Sequence, residues 1–90
     1  MRITANNIEP RIKQINVNED TIEAYLVDGR MISVPLAWSW RLSEATLEQR
    51  NNWALIGDGQ GVHWPDIDED LSARGMLHGI PARHPQQVLV

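Results

Sequence analysis

The stretch TIEAYLVDGRMISVP, residues 21–35, decides how this chain folds. In its first half Ile22, Ala24 and Leu26 fall on one side of an extended chain, and Thr21, Glu23, Tyr25 and Val27 on the other. Asp28-Gly29 then stands between two such runs, a strong hairpin signal, and predicts a type I′ turn with positive φ at both positions. In MISVP, Ile32 and Val34 point inward, and Pro35 ends the pairing because it lacks an N–H. Upstream, RIKQINVN carries Ile12, Ile15 and Val17 in imperfect alternation, which predicts a twist or bulge. Asn18-Glu19-Asp20 supplies the connecting turn. Residues 11–35 therefore read as a three-stranded antiparallel meander.

The 90 residues suffice for one domain with a thin core, since a chain of this size buries only roughly 60–65% of the surface its unfolded form exposes. Twelve acidic residues against eight basic ones give a net charge of −4, with one lysine and no basic run. That balance argues against direct nucleic-acid binding, because phosphate is held by clustered Lys and Arg. With no cysteine, disulfides, thiolate zinc sites and cysteine nucleophiles are excluded. No apolar run approaches the ~18 residues of a membrane span, and the N-terminus lacks a signal-peptide core. A soluble, cytoplasmic domain without membrane association is expected.

Beyond residue 35 the patterning changes. Thr46-Leu47-Glu48-Gln49 matches a capping box and predicts a short helix over about 47–52. WALIGDGQGVHW, residues 53–64, returns to strand chemistry, with Asp58, Gly59 and Gly61 turning one strand into the next. Its arms place Trp53, Leu55, Val62 and Trp64 on one face and His63 on the other. From Leu71 the spacing becomes helical, with Ser72 or an upstream Asp as cap and Gly79 as stop.

The ordered motifs Asp28-Gly29, Val34-Pro35-Leu36-Ala37-Trp38, Arg41-Leu42, Glu48-Gln49-Arg50, Trp53, Gly57-Asp58-Gly59 and His63-Trp64-Pro65 carry a resemblance. With the acidic patch before Leu71 they cover roughly residues 12–79, and the chain resembles the domain of unknown function 2442 family of small bacterial proteins. Two departures stand out: Ser39-Trp40 where such proteins commonly carry an aromatic and a proline, and Leu47 where a proline often opens the helix. The resemblance implies an α+β fold. The expected architecture is a small single domain over 1–80, a curved antiparallel sheet (meander plus second hairpin) with two short helices, followed by an extended tail at 81–90. Genes of this family often stand beside those of the domain of unknown function 4160 family, an arrangement resembling toxin–antitoxin pairs. It brings no catalytic residues with it.

HWPDIDEDLSARG, residues 63–75, poses the main chemical question. Asp66, Asp68 and Asp70 alternate like the opening of a calcium loop, but Leu71 and Leu77 occupy the positions that need glycine and a bidentate glutamate. No metal is expected there. The acids read instead as a helix entrance that complements the dipole, with Asp66 and Asp68 as secondary contacts for a basic partner. His63 with Asp66 or Asp68 has the composition of an acid/base pair, but nothing supplies a nucleophile with an evident base. His63, His78 and His84 lack close metal-ligand spacing, and GDGQG lacks the lysine and following helix of a phosphate cradle. No cofactor is implied.

All four tryptophans lie between residues 38 and 64. Trp53 and Trp64 read as core. In an extended segment Trp38 and Trp40 would face the same side, and Trp40 next to Arg41 has the composition of an interface hot spot. Val88 and Leu89, in the apolar end of the tail, have strand propensity and suit addition to a sheet edge, against the alternative of a frayed end. The sequence therefore points to a non-enzymatic protein-interaction module, an antitoxin-like member of a two-gene pair. Its partner would be a protein encoded nearby or a second copy, met through Trp38, Trp40, Arg41, His63, Asp66, Asp68, Val88 and Leu89. The competing reading is a small-ligand-binding or enzymatic domain on the Trp/His/Asp side of the sheet.

Overall fold

The alternation at 21–26 becomes the central strand of a sheet, with Ile22, Ala24 and Leu26 essentially inaccessible to solvent. The computed structural model describes residues 9–79. The first sheet runs β1 (Ile12–Val17), β2 (Thr21–Leu26) and β3 (Met31–Pro35) in antiparallel order β1-β2-β3. Its register pairs Ile22 with both Val17 and Val34, so one buried row crosses all three strands. The predicted irregularity lies at Lys13, where the register slips between Ile12 and Gln14. Asn18 closes the first turn: its Oδ1 accepts the amides of Asp20 and Thr21, both at 2.8 Å.

The second turn differs from the expected type I′. Only Gly29 has positive φ (95°) there; Asp28 does not. The Leu26 amide donates to the Arg30 carbonyl and the Gly29 amide to the Leu26 carbonyl. This is the pattern of a three-residue loop with glycine at the last position. Asp28 contributes by accepting the Arg30 amide rather than by its own backbone conformation.

After β3 the chain enters a single 3-10 turn at Leu36–Trp38 and then α1 (Trp40–Ser43) and α2 (Leu47–Asn51). The capping box at Thr46 and Gln49 is present. Trp38 and Trp40 thus lie in consecutive helical turns, not in an extended segment, and strand parity does not relate them. The second sheet contains β4 (Ala54–Ile56), β5 (Gly61–Trp64) and β6 (Glu69–Ser72), in order β4-β5-β6. The second hairpin has gained a third strand from residues read as a helix entrance. The helix starts only afterwards, as α3 (Ala73–His78), capped by Ser72 and stopped by Gly79 at φ 75°. The architecture is a small α+β domain with two open three-stranded antiparallel sheets and short helices.

The core joins Ile12, Ile15 and Leu26 of the first sheet to Val62 and Trp64 of the second, closed by Leu42 of α1 and Met76 of α3. Trp64 is fully buried, and its indole N–H donates to the Arg50 carbonyl at 3.0 Å. Leu55 does not join this core. It stands opposite Val62, yet it is 39% exposed because β4 is an edge strand with β5 as its only strand neighbour among the described residues. The GDGQG loop has a structural task. The Ile12 amide donates to the Gly59 carbonyl at 2.7 Å, and the Ala73 amide to the Gln60 carbonyl at 2.8 Å. A Cβ on Gly59 would collide with the Ile12 backbone, and φ there is 105°. The close approach of the two sheets therefore needs glycine at this position.

Candidate functional site

Ser39 is buried at the mouth of α1, and its hydroxyl does two things. It accepts the Leu42 amide at 3.2 Å as the helix N-cap, and it donates to Glu69 Oε2 at 2.5 Å. Glu69 is 4% exposed, the one buried carboxylate among the described residues. A buried carboxylate needs hydrogen bonds or a counter-charge to offset lost hydration. Its second oxygen, Oε1, accepts the Asp70 amide at 3.0 Å and lies 3.8 Å from Arg41 Nη1.

Above this buried pair the surface forms an open concavity of about 240 Å³ lined by Trp40, Arg41, Glu44, Ala45, Gln49 and Ile67. The Arg41 guanidinium lies 4.9 Å from the Trp40 ring centroid, a cation–π contact. Arg41 is thus held from two sides, by the indole and by Glu69 beneath. Arg50 braces the wall: its Nε donates to the Leu42 carbonyl at 3.0 Å and its Nη2 to the Ser43 carbonyl at 3.2 Å. Those carbonyls end α1, where cationic donors are favoured.

The acidic residues separate. Pro65 to Asp68 form the turn between β5 and β6, not a helix entrance, and Ile67 at its centre reaches the concavity. Asp68 has φ 53°, the sole non-glycine residue with positive φ among the described residues; aspartate tolerates this conformation better than most. Asp66 Oδ2 accepts from Asn52 Nδ2 at 3.0 Å. His63 pairs across the strands with Asp70, its register partner, instead of with Asp66 or Asp68. Both His63 and Asp70 are exposed to solvent, on the face opposite buried Val62 and Trp64. Among the described residues no group of three His, Cys, Asp or Glu side chains is arranged to hold a metal.

The structure therefore brings Trp40 and Arg41 together with the turn that carries Asp66 and Asp68, through Ile67. Trp38 is half-buried against the core beside Gly79, and His63 sits on the outer sheet face. Val88 and Leu89 lie outside the described residues.

One polar cluster escaped the sequence reading. On the outer face of the first sheet, Glu23 accepts from Asn16 (3.3 Å), Tyr25 (3.0 Å), Thr21 (3.3 Å) and Asn18 (3.5 Å). Hydrogen bonds from Asn16 first, then Tyr25, hold the Glu23 carboxyl below its ordinary pKa range, and the Glu23 carboxylate in turn pushes the Tyr25 phenol up. The alternation of Thr21, Glu23 and Tyr25 was a signal for their shared face; the cross-strand partners depended on register.

The family model described as "Protein of unknown function (DUF2442)" matches residues 12–82, as the ordered motifs implied. Among solved structures, the chain is similar to a protein of unknown function from Rhodospirillum rubrum ATCC 11170. The two are 26% identical with a TM-score of 0.73, over 88% of this chain and 98% of that one. It is also similar to an uncharacterised protein from Chromobacterium violaceum, at 23% identity and a TM-score of 0.69, over 81% of this chain and 69% of that one. The second likeness shows the fold alone. No curated protein matches the chain.

Proposed function

For this chain, which belongs to the DUF2442 family, we propose a non-enzymatic role as a protein-interaction module whose contact face is the Trp40–Arg41–Ile67 concavity. The observation that supports it is the stacked Trp40–Arg41 pair, fixed from beneath by the buried Ser39–Glu69 hydrogen bond. Trp and Arg dominate interface hot spots, and a side chain already held in place loses less entropy on binding. One departure from the family pattern bears on this face, and a second leaves an apolar residue on the surface. Trp40 and Leu47 are the first residues of α1 and α2, where proline would satisfy the helix with its fixed φ and missing N–H. Instead the chain places an indole beside the concavity and a 68% exposed leucine at the start of α2.

The partner suited to this face is a basic protein. Glu44 lines the concavity, and exposed Asp66 and Asp68 flank Ile67 in a chain of net charge −4. A small basic protein encoded beside this one, in an antitoxin-like pairing, fits that chemistry. No helix among the described residues is long and apolar enough to cross a membrane. The experiment is co-expression with the product of the adjacent gene, followed by purification through a tag on one chain. A stoichiometric complex that survives size exclusion is expected. Separate elution of two folded proteins at micromolar concentration would overturn the reading.

A further inference from the structure

The two sheets have four edge strands, and three of them are protected. Strand β1 carries Lys13 at its bulge and is fastened to the Gly59 loop; β3 ends on Pro35 and packs against α3. Strand β6 carries Glu69 and Asp70, follows the positive-φ Asp68, and runs directly into α3, which also packs against it. Lysine, bulges, proline, inward charge and helical cover are the devices that keep sheet edges from pairing with other chains. Strand β4 has none of them. Its three residues, Ala54, Leu55 and Ile56, are all apolar and all exposed, Leu55 at 39% and Ile56 at 40%.

A strand apolar on both faces is the pattern of an interior strand, not of an edge. Leu55 stands opposite buried Val62, at the rim of the core, while Ile56 lies on the other face against Gly61. A neighbour that completed this sheet would need apolar side chains on both faces and no charge. The chain contains one such segment outside the described residues: Gln86-Gln87-Val88-Leu89-Val90, uncharged, preceded by Pro85. Extended, it would put Val88 and Val90 on one face and Leu89 on the other, three apolar positions against the three of β4.

We propose that β4 is a strand-acceptor site for residues 86–90 of a second copy of this chain, so that two copies exchange these segments reciprocally. Each exchange extends the second sheet to four strands in the order donor-β4-β5-β6. Main-chain hydrogen bonds supply the affinity, and the Val-Leu-Val run covers the three apolar positions of β4. The site is separate from the Trp40–Arg41 concavity.

The test is sedimentation of the full chain from micromolar to millimolar concentration, beside a deletion of residues 81–90 and an acceptor variant, Leu55→Lys. The full chain should dimerise reversibly, and each variant should weaken dimerisation by more than about tenfold, with little change in the thermal stability of the monomer. Ile56→Lys serves as a second acceptor variant should Leu55→Lys fold poorly. Mixing is decisive: the deletion retains the acceptor and Leu55→Lys retains the donor, so together they keep one of the two exchanges and should form a heterodimer, weaker than the full-chain dimer, that neither forms with itself. A full chain that stays monomeric throughout overturns the proposal, as does a deletion that dimerises like the full chain, the sign of direct β4–β4 pairing. Failure of the mixed variants to associate more tightly than either variant does with itself would also overturn it.

Discussion

Ser39 shows how much one small side chain can carry. Its hydroxyl caps α1 through the Leu42 amide and supplies a donor to buried Glu69 Oε2. Ser39→Ala removes both at once, leaving a carboxylate oxygen inside the protein without its hydroxyl partner. We expect a loss of about 2–3 kcal/mol, read as a lower urea midpoint with an unchanged m-value. A loss under about 0.5 kcal/mol would mean that the Asp70 amide and Arg41 alone hold the carboxylate. Glu23 makes a prediction in pH. Its folded pKa is depressed, so its contribution is present above the unfolded pKa and is lost as the pH falls through the folded one. Tyr25 has the opposite sign: its raised pKa gives a contribution present below the unfolded value and lost as the pH rises through the folded value, above about 10. Glu23 accepts from Tyr25, so Glu23→Gln should flatten both limbs of the stability–pH curve, below about pH 4.5 and above about pH 10. Unchanged limbs in thermal melts would show that the cluster does not act on folding.

Among the elements, the turn at Pro65–Asp68 and the strand that follows it depart furthest from what local sequence rules predict. Asp66, Asp68 and Asp70 alternate as calcium ligands do, yet Asp66 accepts from Asn52, Asp70 pairs with His63, and Glu69 between them is turned into the core. Calcium or magnesium should therefore leave the melting temperature unchanged apart from ionic-strength effects. A saturable stabilisation that grows with free metal would contradict this assignment of the carboxylates. The first sheet was legible because local rules set it: β2 alternates with period two, Asn18 and Gly29 make the turns, and the uneven spacing of Ile12 and Ile15 marks the bulge. The second sheet was legible only to its first hairpin. Glu69–Ser72 carries one apolar residue in four, and its strand character comes from pairing with β5, a tertiary effect that local propensity does not record. Of the candidate site, Trp40 and Arg41 could be named from composition. Their neighbour Ile67 and the Ser39–Glu69 support could not, because residues 39 and 69 meet across 30 positions of sequence.

Taken as a whole, the molecule uses most of its motif residues to hold itself together. Gly59 joins the sheets, Arg50 closes the end of α1, Trp64 fills the core, and Thr46 with Gln49 starts α2. Of the rest, His63 lies on the outer sheet face, while Trp40 and Arg41 line the concavity with its acidic surround, and on the concavity rests the proposal of a module that binds a basic protein. Calorimetric titration of the adjacent gene's product into the wild-type chain and into Trp40→Ala tests it most directly. The account predicts a saturable complex that Trp40→Ala weakens by about 2 kcal/mol or more, roughly thirtyfold in Kd, while both chains keep the same melting temperature. Equal affinity for the two chains, or no heat of binding to either, would contradict it.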